Sequence, residues 1–129
     1  MCSSDLLEAG GWTVENGIDA PGAWRAARDL LLRRAPAIGQ APGEPIRHPG
    51  EDEVAAAVRA ALALDGGVLA IQGPPGTGKT FTGAHLIVAL VKAGKRVGVT
   101  ATAHKVIGNL LDEVAEVARQ QDEIGRAHV

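Results

Sequence analysis

The 129 residues carry 15 acidic and 13 basic side chains, and the resulting charge of −2 gives no whole-chain electrostatic case for nucleic acid, although a local basic face stays open. The length fits about one domain, and 2% aromatic residues leave Ala, Leu, Val and Ile to build a thin core. The single cysteine, Cys2, excludes an internal disulfide and a thiolate metal site. No apolar run is long enough to cross a bilayer and no basic-then-apolar leader opens the chain, so a cytoplasmic location without a membrane partner is expected.

The ends read as one sequence in opposite senses. If Met1-Cys2-Ser3-Ser4-Asp5 is encoded GTG-TGC-TCT-TCC-GAT, the reverse complement translates as Ile-Gly-Arg-Ala-His, which is Ile124 to His128. Both resemble translated sequencing adapter. The expectation is a non-native tail over 123–129, a similar start, and an internal fragment of a longer gene; Cys2 and His128 then carry no role.

Residues 6–20 hold Gly and Asn breakers without a sustained period and read as loop. Asp19-Ala20-Pro21 reads as the start of a helix over 21–34, with Trp24, Ala27 and Leu31 on one side and Trp24 as a packing anchor. Pro36, Pro42, Pro45 and Pro49 make 35–50 an irregular connection. Residues 1–50 thus form a helical and irregular N-terminal segment, and a nucleotide domain is expected over 51–122. Glu51-Asp52-Glu53 puts acid at the positive end of the next helix, which Gly66-Gly67 closes.

A short apolar run, Val68-Leu69-Ala70-Ile71, then leads into Gly73-Pro74-Pro75-Gly76-Thr77-Gly78-Lys79-Thr80. This fits G-x-x-x-x-G-K-[ST] between an expected strand at 68–72 and an expected helix from Lys79 to about Ala93. Glycines 73, 76 and 78 let successive N–H groups face one anion, and the positive helix end adds to that field. Lys79 is placed to reach the β- and γ-phosphates of ATP, and the Thr80 hydroxyl to hold Mg²⁺. Phe81 follows directly and begins the apolar stripe Phe81, Ala84, Ile87, Val88 and Val91.

Gly94 ends that helix, Val97-Gly98-Val99-Thr100-Ala101 reads as a parallel strand, and a helix is expected from about Ala103 to Gln120 with Thr102 as cap. The order helix, strand, loop, helix, strand, helix predicts an α/β fold with a short parallel sheet flanked by helices. Hydroxyls at a strand end, followed by a helix start bearing His104 and Lys105, expose donors that can grip a phosphodiester backbone without reading sequence.

Together, IQGPPGTGKT and AGKRVGVTATAHKVIGNLL resemble superfamily 1 helicases, and in particular the helicase region of bacterial proteins that join it to a RecB-like nuclease region. The likeness covers about residues 64–118, with a weaker part over 24–60. It implies a RecA-like P-loop NTPase fragment in which Lys79 and Thr80 are the catalytic pair and residues 73–81 serve ATP and Mg²⁺. It also implies that Thr100, Thr102, His104 and Lys105 lie near single-stranded DNA or RNA in the longer parent. The rest of the motor, and a fused nuclease region, are the further partners implied.

Hydrolysis needs an Asp-Glu pair at another strand end and an arginine finger. Leu110-Leu111-Asp112-Glu113 imitates that pair but falls inside an amphipathic helix, and no later motif follows. The chain alone is therefore expected to bind nucleotide at best. The alternatives are a ring-forming ATPase, against which the Thr-x-Thr-x-His-Lys pattern speaks, a small-molecule kinase, for which no arginine lid is visible, and a truncated frame without function.

Overall fold

The computed structural model describes residues 3–74 and 76–127, so Cys2, Pro75 and His128 lie outside the described residues. Five helices follow one another: α1 Ser3–Asn16, α2 Arg25–Leu31, α3 Glu53–Ala63, α4 Lys79–Lys92 and α5 His104–Ala127. The α4 helix packs against both α3 and α5.

The expected α/β fold is overturned: among the described residues there is no strand and no sheet. The stretches at 68–72 and 97–101 are both irregular, and none of the described backbone hydrogen bonds joins them. The physical reason is that an apolar, β-branched run expresses only a propensity, whereas a strand exists through hydrogen bonds to a neighbour. Without that neighbour the two runs act as connections between helices.

Residues 6–16, read from sequence as loop, belong to α1. Its glycines cost helix stability, and two of its side chains bond back to the carbonyls four residues earlier, Thr13 Oγ1 to Ala9 O at 2.8 Å and Asn16 Nδ2 to Trp12 O at 2.9 Å. Gly17, at φ +93°, ends it.

The helix expected over 21–34 is confined to Arg25–Leu31. Trp24 stands before it in the left-handed region at φ 61°, and Arg33 follows at φ 53°. Both are conformations an L side chain adopts at a cost. What holds the chain leading into Trp24 is Arg28, only 3% exposed. Its guanidinium donates to the carbonyls of Ile18 (2.8 Å), Ala20 (2.5 Å), Gly22 (3.5 Å) and Ala23 (2.9 Å), and lies 4.7 Å from the Trp12 ring centre. Backbone dipoles and a π face thus take the place of a carboxylate. Asp29, also buried, accepts from Arg25 and Arg34, each at 3.4 Å, and Arg34 pairs with Asp19 as well.

The acidic triplet divides its labour. Asp52 caps α3 by accepting from Ala55 N at 3.1 Å. Glu51 receives Arg59 from two turns along the same helix, while Glu53 sits in the first turn. At its far end α4 closes in a Schellman motif, with Gly94 N on Val91 O and Lys95 N on Leu90 O, both at 2.9 Å, and Gly94 at φ +79°.

The core is as thin as the composition implies. Its cluster is Ala84, Val88 and Val117, flanked by Leu110, Val114 and Ala118, and the α3 face contributes Ala56 and Ala60. Val117 is the largest fully buried side chain.

Candidate phosphate-binding site

The loop closes directly onto α4. Gly76 and Gly78 both take φ +81°, a region where a side chain is strained, and Gly78 is the residue before the first helical turn. A Cβ built on Gly73 would stand 2.5 Å from Thr77 Oγ1, so the first glycine is required by contact as well as by motif. No acid occupies the first turn of α4, which leaves its positive end uncompensated.

Lys79 curls back over the loop. Its Nζ donates to the carbonyl of Gly73 and, at 2.8 Å, to that of Pro74; the Pro74 carbonyl also accepts from Thr77 Oγ1 at 2.7 Å. A cavity of about 340 Å³ opens here, lined by Gly73, Pro74, Thr77, Lys79, Gln72 and Glu53 among others. That volume falls within the roughly 300–1,000 Å³ usual for small-molecule sites. Left-handed glycines, a helix start free of acid and one ammonium at the rim suit a phosphate group.

The other motif residues are placed differently. Thr80 is exposed in the first turn of α4 and does not line the cavity. Phe81 is turned against His85, with ring centres 4.3 Å apart, and stays outside the cavity as well. Thr100, Thr102, His104 and Lys105 are all exposed around the start of α5, and none of the described cavities or hydrogen bonds joins them to the loop. Asp112 is exposed and Glu113 half-buried on α5, away from the loop cavity.

Two bordering residues escaped the sequence reading. Glu53 and Gln72 line both the loop cavity and an adjoining hollow of about 270 Å³ floored by Ala56, Ala57 and Ala60. Glu53 reads in the sequence as one more helix-start acid, and only the packing of α3 beside the loop reveals its position. It pairs with Arg47 Nη1 at 3.4 Å, and Arg47 Nε donates to Glu51 O at 2.7 Å. The connection before α3 therefore reaches the rim of the site through Arg47. Glu51 itself is held well below the ordinary carboxylate value, at about 2, chiefly by the Arg59 hydrogen bonds and then by the His48 backbone N–H. Among the described residues no group of three or more His, Cys, Asp or Glu gathers as a metal site.

A family model described as an AAA domain matches residues 51–128 and thus covers the loop, the helices on either side of it and α5. This match carries the coarse class of a helicase-like P-loop ATPase domain. Neither the curated proteins nor the solved structures yield a match.

Proposed function

Because the chain belongs to the AAA domain family, we propose that its loop at 73–80 binds Mg-ATP, as the nucleotide-binding part of a superfamily 1 helicase acting on single-stranded nucleic acid. The observation that carries the reading is Lys79 Nζ held at the cavity rim by two loop carbonyls, beside glycines in the left-handed region. Such an ammonium can exchange neutral carbonyl acceptors for charged phosphate oxygens, and charge-assisted hydrogen bonds are the stronger kind.

Lys79 would hold the outer phosphates, the loop amides the inner ones, and Thr80 the Mg²⁺ that neutralises charge developing during phosphoryl transfer. The cavity and its adjoining hollow meet at Glu53 and Gln72, which leaves room for a base beside the phosphates. Glu53 is the one acid among the residues lining the loop cavity, so no Asp-Glu pair stands ready to orient water. The activity proposed for this chain is accordingly nucleotide binding.

Nucleic-acid contact by Thr100, Thr102, His104 and Lys105 is the second half of the proposal. Its support is their common exposure at the start of α5, whose first turn bears no acid. The nucleotide half of the reading is tested by measuring Mg-ATP binding to the chain and to Lys79→Ala.

A further inference from the structure

We propose that Thr77 is a positioning residue whose hydroxyl holds the Pro74 carbonyl, so that Lys79 can leave that carbonyl for a phosphate; the inference rests on the nucleotide reading above. Among the described hydrogen bonds, the Pro74 carbonyl is the one loop acceptor shared by two side chains, Lys79 Nζ at 2.8 Å and Thr77 Oγ1 at 2.7 Å. The Gly73 carbonyl receives Lys79 alone among the described hydrogen bonds.

A carbonyl oxygen beside an anion is repulsive, and a hydrogen-bond donor kept on that oxygen offsets part of the repulsion. When Lys79 turns toward phosphate, Pro74 retains Thr77 as donor. Thr77 thereby acts on affinity through Lys79 and Pro74, and its hydroxyl need not touch the nucleotide.

The same side chain is matched to Gly73. Thr77 Oγ1 stands 2.5 Å from the position a Cβ on Gly73 would take, so the hydroxyl occupies the space that residue 73 leaves empty. Thr77 is exposed, and its bond to Pro74 links residues three apart, so its loss leaves the helix packing untouched.

The test is equilibrium dialysis of Mg-ATP against the full chain, Thr77→Val, Thr77→Ser, Lys79→Ala, Gly73→Ala and Gly73→Ala/Thr77→Ala. Thr77→Val, which keeps the shape and loses the donor, is expected to bind about fivefold more weakly. Thr77→Ser is expected to bind as wild type, and both should melt at the wild-type temperature without nucleotide. Gly73→Ala should bind more weakly than Gly73→Ala/Thr77→Ala, because removing the hydroxyl relieves the contact. Wild-type affinity in Thr77→Val, or equal weakening in Thr77→Ser, with Lys79-dependent binding intact, overturns the Thr77 role alone. A wild-type chain without Lys79-dependent binding overturns the nucleotide reading and the Thr77 role together.

Discussion

Arg59 grips Glu51 with two hydrogen bonds, Nε to Oε1 at 2.8 Å and Nη2 to Oε2 at 2.9 Å, and so ties the chain entering α3 to the middle of that helix. The same guanidinium donates to Ile46 O at 2.5 Å, and Glu51 Oε2 also accepts from His48 N at 2.9 Å. One ion pair thereby organises the approach to the helix that borders the loop cavity.

Strong acid should undo this arrangement. The Glu51 carboxyl, ordinarily at 4.5, is lowered to about 2 by Arg59 and His48. The unfolded chain binds the proton more tightly, so the pair's contribution is complete above 4.5 and is lost as pH falls toward 2. Melting temperatures recorded between about pH 7 and pH 2 should show Glu51→Gln less stable than wild type at neutral pH. The two curves should converge at the acid end, and parallel curves would contradict the assignment.

Thin cores make single methyl groups count. Val117 is 1% exposed and is the largest fully buried side chain between α4 and α5, so Val117→Ala should destabilise by about 1–3 kcal/mol. Urea denaturation followed by circular dichroism measures it, and a loss confined to a few tenths of that range would mean that α5 does not pack as described.

Arg28 should tolerate no cation of different shape. Lysine has three donors on a flexible stem and cannot serve four carbonyls spread over Ile18 to Ala23. Arg28→Lys is expected to cost about 1–3 kcal/mol and to raise amide exchange across residues 17–24. Exchange unchanged in that segment would show that something else orders it.

The difference between what the sequence makes legible and what the fold contains follows the range of the forces involved. The glycine-rich loop is local chemistry: glycines at 76 and 78 meet a positive φ, and Lys79 opens a helix within six residues of Gly73. The Asp52 cap and the Gly94 stop are likewise settled within one turn. The strands expected at 68–72 and 97–101 depend on partners elsewhere in the chain, and local pattern cannot guarantee them. The α1 helix is obscured in the sequence by Gly10 and Gly11, which lie inside it. The roles of Arg28 and Glu53 are set by carbonyls and cavities that come together only on folding, so neither residue is distinguished in the sequence from a solvated charge.

Mg-ATP binding by the wild-type chain, compared with Lys79→Ala in equilibrium dialysis, tests the central claim most directly. The loop geometry predicts saturable binding that weakens at least about tenfold without the Lys79 ammonium, which supplies charge-assisted bonds to phosphate. A cooperatively melting wild-type chain that binds no Mg-ATP, or that binds it equally with alanine at position 79, would contradict the nucleotide-binding assignment.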